Sequence, residues 1–213
     1  MRTDELVSLL ATGTEAVDTR LPMRRYLIAV LAGTAIATLL TSGWLGLRPT
    51  LARDLSVPMF WAKEAFCAAL GAAGLVAVAR LARPGFRLGW VRAAVAAPVV
   101  AMWLLAAAAL LAADPQNRSE LILGQTAAVC PFRIALISTP LFVAMFAAMR
   151  GLAPTRLRLA GAAGGFAAGS VGALAYSLHC PELAAPFLAI WYVLGMLIPT
   201  AVGAWAGPHL LRW

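Results

Sequence analysis

The sequence predicts an all-α integral membrane protein, a six-transmembrane-helix bundle with a short amphipathic helix before the first span. Two observations lead to this fold class. Of the 213 residues, 62% are hydrophobic and only 12% are charged, about half the charged share of a soluble domain. In addition, six apolar segments approach or exceed the roughly 20 residues that a helix needs to cross a bilayer. The chain therefore has too few charges to solvate a globular surface of its own.

The net charge of +8 would indicate nucleic-acid binding in a soluble protein. Here the basic residues cluster between the apolar segments, as the positive-inside rule expects of cytoplasmic loops. We therefore expect contact with the lipid bilayer and no direct contact with nucleic acid.

The six predicted spans cover residues 26–47, 58–79, 91–113, 130–149, 159–178 and 186–207. Three of them carry charges near their starts: Lys63 and Glu64 in the first two turns of the second span, Arg92 in the third, and Arg133 in the first turn of the fourth. Long polar side chains at such positions can reach an interface. Residues 26–213 are thus expected to form the transmembrane domain, and residues 1–25 a cytoplasmic tail.

An even number of spans places both chain ends on one side of the membrane. Arginine is far more frequent on that side: Arg20, Arg24, Arg25, Arg80, Arg83, Arg87, Arg92, Arg150, Arg156, Arg158 and Arg212. The opposite loops hold Arg48, Arg53 and Arg118. This asymmetry predicts that both termini are cytoplasmic.

Small residues recur every four positions on the last two spans, a spacing that lets helices approach closely. The two rows are Gly161, Gly165, Gly169 and Ala173, and Gly195, Pro199, Gly203 and Gly207. They predict close helix packing and carry no information about function.

The predicted topology places Cys130 and Cys180 at one depth on the outer face, with His179 beside Cys180. Two such thiols can form a disulfide if their Cα atoms lie within about 7 Å. They can instead bind a soft metal ion, with His179 as a third ligand. The alternative is that each is a small apolar core residue, which we expect for Cys67 in mid-span.

Charged residues surround the cysteines in this prediction. Arg133 and Glu182 are expected near the same interface, and Lys63 or Glu64 can form a structural ion pair with either of them. These four charges are therefore interpreted as supporting residues of the cysteine site.

The first eighteen residues carry Asp4, Glu5, Glu15 and Asp18 against Arg2, a side-chain charge of −3. Thr3 can cap a helix whose first turn holds Asp4 and Glu5.

An apolar face at helical spacing follows this acidic start, formed by Leu6, Leu9 and Leu10. Such a short helix is typical of a segment that folds into a groove on a partner. The alternative is a helix resting on the bilayer, where anionic headgroups would repel its acidic residues.

Taken together, these residues resemble the NrsF-type anti-sigma factors. The resemblance covers essentially the whole chain, through the N-terminal segment from Arg2 to Ala11, the six spans, Cys130 before Pro131, and the run His179-Cys180-Pro181-Glu182. The later Pro186-Phe187 and Trp191-Tyr192 with Gly195 add to it.

The resemblance implies a multi-pass bacterial inner-membrane protein that is not an enzyme and that holds an extracytoplasmic-function sigma factor inactive. It implies that residues 1–25 contribute to sigma binding. It also implies that Cys130 and Cys180 are the periplasmic-side pair that senses heavy metals or oxidants. No cofactor is implied beyond a transiently bound metal ion.

Two other functions stay open from the residues alone. Lys63, Glu64 and Arg133 would suit a small transporter or permease subunit, although transporters place polar residues near the midplane. Cys130 and Cys180 would suit a cysteine-based membrane oxidoreductase, although no CxxC pair is present.

Overall fold

The structure is a computed structural model of the chain and describes residues 2–12, 21–82, 88–152 and 154–212. All regular secondary structure within these ranges is helical. The α-helices are α1 (Thr3–Ala11), α2 (Leu21–Leu40), α3 (Leu51–Asp54), α4 (Pro58–Leu81), α5 (Val91–Ala112), α6 (Arg118–Leu123), α7 (Cys130–Arg150), α8 (Leu157–Ser177), α9 (Ala185–Phe187) and α10 (Val193–Leu210). Two π-helical turns, Thr41–Leu45 and Leu188–Tyr192, continue α2 and precede α10.

Six of these helical segments are long and apolar enough to cross a membrane. They are Met23–Leu45, Pro58–Leu81, Val91–Ala112, Cys130–Arg150, Leu157–Ser177 and Ala185–Leu210. The all-α fold is confirmed, and these six apolar helices coincide with the six predicted spans to within a few residues.

Helix α8 forms the centre of the bundle. In its most apolar stretch 72% of the residues are buried, against 11% in α5. Helices α4, α7 and α10 pack around α8, while α2 packs on α7 and α5 on α4. The outward faces of α2 and α5 expose large apolar side chains, as lipid contact requires: Leu31, Leu39, Trp103, Leu104 and Leu111.

The closest helix packing joins α8 to α10. A Cβ atom added at Gly161 would overlap the carbonyl oxygen of Gly203, and one added at Gly165 would overlap that of Pro199. We call the contact of Gly161 and Gly165 with Pro199, Gly203 and Gly207 the glycine seam. The two predicted rows therefore pack against each other, which lets the two backbones touch.

The row on the last span is not continuous in its contacts. Gly195 faces Ile134 of α7 instead of α8, because α10 turns toward α7 in that part of the bundle. The small residue is used for close packing there as well, but on a different neighbour.

The bundle has two chemically different ends. Helix α2 begins where α10 ends, and at that end the Arg150 Nε donates to the Leu210 carbonyl oxygen at 2.8 Å. We call it the tail end, and the opposite end, with Cys130 and Cys180, the cysteine end. Exposed arginines gather at the tail end: Arg24, Arg25, Arg92, Arg150, Arg156, Arg158 and Arg212.

Exposed tryptophans mark both ends of the bundle, as at membrane interfaces. Trp44 and Trp61 lie at the cysteine end, and Trp90 and Trp205 lie at the tail end. Arg20, Arg83 and Arg87, which the sequence analysis assigned to the tail side, fall outside the described residues.

Helix α1 begins one residue earlier than a Thr3 cap would give. Arg2 is the cap residue, and its backbone N–H donates to the Glu5 carboxylate at 3.2 Å. The side chain of Leu6 is exposed. The side chains of Leu9 and Leu10, and residues 13–20, lie outside the described part of the chain, so the binding face stays a prediction.

Candidate functional site

Residues 178–182 form a tight connection between the fifth and sixth spans, which we call the cysteine turn. The N–H groups of His179 and Cys180 both donate to the carbonyl oxygen of Tyr176, at 3.0 and 3.1 Å. These bonds end α8 and direct Cys180 back into the bundle, where it is fully buried. Cys180 is therefore a core residue, although it lies on a loop.

Cys130 reaches the same place from α7. It is the first residue of that helix, followed by Pro131, a residue type suited to a first helical turn. Its N–H donates to the Thr126 carbonyl oxygen at 2.9 Å, and its side chain is fully buried. Two chain segments 50 positions apart thus deliver one thiol each to the same core cluster.

The two thiols are reduced and in direct contact. The Cys130 thiol donates a hydrogen bond to the sulfur of Cys180, and this bond lowers the pKa of Cys180 below its usual range. Burial opposes the shift, and the nearby positive charge of Lys63 adds to it. A thiol of lowered pKa is a thiolate at neutral pH, which is the nucleophilic and metal-binding form.

Two buried cations hold the backbone of the cysteine turn. The Lys63 Nζ and the Arg48 Nη1 each donate to the Cys180 carbonyl oxygen, both at 2.9 Å. Lys63 also donates to the Glu182 carbonyl oxygen at 3.1 Å and lies 5.1 Å from the centre of the Tyr192 ring. Both cations are almost inaccessible to solvent, with 0% exposure for Lys63 and 4% for Arg48.

These contacts change the expected role of Lys63. The sequence predicts a structural ion pair of Lys63 with Glu182. Among the described residues, however, the hydrogen bonds of Lys63 go to backbone carbonyl oxygens. The buried ion pair in this region is Arg48 with Asp54, at 3.4 Å between Nε and Oδ2. Lys63 is accommodated in the core because the carbonyl oxygens of the cysteine turn, which lies outside regular helix, accept its hydrogen bonds.

His179 is held by contacts on both sides of its ring. Its Nδ1 lies 2.9 Å from the Gly46 carbonyl oxygen, and its Nε2 lies 3.2 Å from the Arg133 Nη1. Since a guanidinium group only donates, Nε2 accepts and Nδ1 carries the proton. Within the described residues no group of three His, Cys, Asp or Glu side chains could hold a metal ion, so the described geometry offers a two-thiol site.

Glu182 connects the cysteine turn to the segment before α7. Its carboxylate accepts from the Gln125 N–H at 2.7 Å and from the Thr126 hydroxyl at 3.3 Å. Gly124 has φ +51°, and an added Cβ would meet the Glu182 carboxylate. Thr126 also lies 4.0 Å from the Cys180 sulfur. Glu182 therefore fixes the loop that precedes Cys130.

Glu64 and Cys67 lie deeper on α4. Glu64 interacts with the hydroxyl of Ser177 on α8. Cys67 is fully buried in the same apolar cluster as the thiol pair, in agreement with its predicted packing role.

The structure thus gathers all the predicted residues of the cysteine site at one end of the bundle: Lys63, Glu64, Cys130, Arg133, His179, Cys180 and Glu182. Sequence reasoning missed Arg48, Asp54 and Thr126. Arg48 directly follows the first apolar segment and looks like an exposed loop cation. The one sequence feature that could have indicated a buried Arg48 is Asp54, a carboxylate in the short loop that also holds Arg48 and Arg53.

Comparison with known proteins agrees with the resemblance noted above. The family described as "Negative regulator of sigma F", NrsF, matches residues 10–213. A protein of Azospira oryzae named "Probable anti-sigma-F factor NrsF" is 49% identical over 213 residues, and one of Caulobacter vibrioides named "Anti-sigma-F factor NrsF" is 43% identical over 222. Both alignments cover 100% of each chain.

No solved structure matches this chain. The family match and the two relatives extend over the spans and over the segments that carry both buried thiols. The chain therefore belongs to the NrsF family, whose description is that of a negative regulator.

Proposed function

We propose that this protein is a bacterial inner-membrane anti-sigma factor that holds an extracytoplasmic-function sigma factor at the membrane. Family membership over nearly the whole chain is the observation that carries the proposal. Both termini face the cytoplasm in this proposal, because exposed arginines gather at the tail end. The cysteine end then faces the periplasm.

Residues 1–25 form the sigma-binding tail. Helix α1 has Asp4 and Glu5 in its first turn and exposes Leu6. Sigma factors present basic, DNA-facing surfaces, and an acidic helix with an apolar face complements such a surface. Leu9 and Leu10 are assigned to the same face by their helical spacing.

The thiol pair at the cysteine end is the sensor. Cys130 and Cys180 are already in contact, so a two-electron oxidant can join them without unfolding the bundle. In this step the Cys130 thiol and the Cys180 thiolate together give up one proton and two electrons, and one S–S bond forms; an oxidant that takes up two protons receives the second from water. A soft metal ion is the second candidate signal, because it can bind both thiolates while their protons are released.

The tail is tested by deleting residues 2–12 and measuring how much sigma factor co-purifies with the membrane-extracted protein. We expect the deletion to abolish co-purification, while the level of the protein in the membrane stays unchanged. Continued co-purification would overturn the role of the tail. Thr12→Ala is a matched control, since it leaves the acidic and apolar residues in place.

The sensor is tested with Cys130→Ser and Cys180→Ser in a sigma-dependent reporter strain treated with diamide, dichromate or cadmium. Diamide accepts the two electrons and two protons, so it isolates the dithiol reaction. We expect both variants to lose the response to diamide. A response equal to that of the unmodified protein would exclude the thiol pair as sensor.

A further inference from the structure

The cysteine turn is hydrogen-bonded to the residues that directly follow the first span. The Arg48 N–H donates to the Leu178 carbonyl oxygen at 3.2 Å, and the Arg48 Nη1 donates to that of Cys180 at 2.9 Å. The protonated Nδ1 of His179 donates to the Gly46 carbonyl oxygen at 2.9 Å. We call these three bonds the clasp. They join residues that are about 130 positions apart in the chain.

Arg48 is fixed in this position from its other side. Its Nε forms the buried pair with Asp54 at 3.4 Å, and its guanidinium carbon lies 5.0 Å from the centre of the Phe60 ring. A long side chain held by a carboxylate and an aromatic ring keeps little rotational freedom. Displacement of the Cys180 carbonyl is therefore passed to the backbone at residue 48.

At this end of the bundle the first span is also held by apolar packing, since Thr41 is buried and Leu45 packs against the cluster that contains both thiols, and the clasp adds hydrogen bonds to that packing. Only 17% of its most apolar stretch is buried. Toward the tail end the Tyr26 hydroxyl donates to the Leu75 carbonyl oxygen at 2.7 Å, and in mid-span Gly33 lies against Leu141. The π-helical turn Thr41–Leu45 leads directly from α2 into the clasp, and such turns often occur at functional sites.

A second buried cation, on a different helix, binds the same Cys180 carbonyl oxygen as Arg48. Lys63 donates to the Cys180 oxygen at the same 2.9 Å, but it does so from α4. Arg48 belongs to the segment that continues the span next to the tail, whereas Lys63 does not. Both are buried, and both touch the same acceptor atom, so they differ mainly in the helix they connect.

We propose that Arg48 is a positioning residue that couples the thiol pair to the first span, and through it to the N-terminal tail. This inference rests on the proposed function. Formation of a disulfide shortens the sulfur–sulfur contact to a bond of about 2.05 Å, which shifts the cysteine turn. With the clasp intact the protein holds the sigma factor. The shift releases the part of the first span that lies at the cysteine end.

The test compares Arg48→Met with Arg53→Met in the full-length chain, co-expressed with an extracytoplasmic-function sigma factor that co-purifies with the unmodified protein. Two quantities are measured before and after diamide treatment. The first is the sigma factor bound per chain. The second is the oxidation state of Cys130 and Cys180, obtained by alkylation and mass spectrometry.

Arg48→Met is expected to reduce bound sigma factor before diamide by at least about fivefold, the lower end of ordinary allosteric coupling, while its thiols still oxidise. Arg53→Met, which changes an exposed arginine of the same loop, is expected to retain sigma factor as the unmodified protein does. His179→Phe removes the other side-chain contact of the clasp and should behave like Arg48→Met, so the test does not depend on one variant folding.

The coupling role is overturned if Arg48→Met and His179→Phe bind and release sigma factor as the unmodified protein does. It is also overturned if Arg53→Met loses as much sigma factor as Arg48→Met, since the loss would then follow from removing any arginine of this loop and not from breaking the clasp. Failure of the proposed function appears separately, in the unmodified protein, as sigma factor that stays bound after both thiols are oxidised.

Discussion

The glycine seam and the cysteine end are both buried, but opposite chemistry holds each of them together. At the seam, Gly161 and Gly203 bring two backbones into direct contact. At the cysteine end, charged side chains of Arg48 and Lys63 reach backbone carbonyls through an otherwise apolar core. The seam has one tight arrangement, whereas a hydrogen-bonded turn can exchange its partners.

We therefore assign different roles to the glycine seam and to the cysteine end. The seam joins α8 to α10 and acts as a rigid frame, because packed backbones have no room to rearrange. The cysteine turn lies at one end of α8, outside the seam. A bundle that transmits a signal needs both a fixed part and a part with two states.

The largest expected effect comes from filling the seam. Gly165→Leu places a side chain against the Pro199 carbonyl, and overpacking of this kind typically costs about 1–3 kcal/mol and sometimes more. We expect little folded protein in the membrane, measured by immunoblot and by thermal melting in detergent. Gly43→Leu is the matched control, because nothing lies within 4 Å of its added Cβ. Equal stability of both variants would contradict the role of the seam.

The second effect is specific to function. Cys180→Ser should abolish the diamide response, while Cys67→Ala, a substitution of a cysteine buried in the same cluster, should preserve it. Reporter output with and without diamide measures the difference, and thermal melting shows whether folding is intact. If Cys67→Ala also lost the response at normal stability, the sensor would be a set of three thiols.

The third effect concerns pH. Since hydrogen bonding from Cys130 lowers the pKa of Cys180, the thiolate persists at neutral pH and is lost only as the pH falls through the lowered value. Alkylation of Cys180 by iodoacetamide should therefore stay fast down to acidic pH. Cys130→Ala removes this donor, so the midpoint should move upward, with about a tenfold lower rate per pH unit below it. An unchanged pH profile would contradict the thiol–thiol hydrogen bond.

The smallest effect is expected at Glu182. Glu182→Ala removes the acceptor of the Gln125 N–H and of the Thr126 hydroxyl, which should cost about 1 kcal/mol. Hydrogen exchange at residues 124–126 should accelerate, with α8 and α10 unaffected. Glu182→Gln keeps one acceptor oxygen, so its exchange rates should lie between those of the unmodified protein and of Glu182→Ala. Protection that stays the same in Glu182→Ala would show that other contacts hold this loop.

The sequence predicted the seam more completely than the cysteine end, for a physical reason. Backbone packing in a membrane needs small residues at helical spacing, so the spacing of Gly161 and Gly165 predicts this contact from the sequence alone. It did not show that Gly195 would face α7, because the neighbour of a helix face depends on the arrangement of all six spans.

At the cysteine end the sequence predicted which residues gather there, but not which atoms they contact. Cys130 and Cys180 were expected at one depth because span lengths set depth. Arg48 was assigned to an exposed loop, since a cation after an apolar segment normally reaches water. Its burial depends on Asp54 and on a carbonyl some 130 residues away, and such partners are visible only in three dimensions.

The central claim is that chemistry at the cysteine end controls binding at the tail end. The most direct measurement follows, in one set of membrane vesicles, the fraction of chains with a Cys130–Cys180 disulfide and the sigma factor still bound during a diamide titration. The two curves should mirror each other, with bound sigma factor falling as the disulfide forms. Full formation of the disulfide with undiminished binding would contradict the claim.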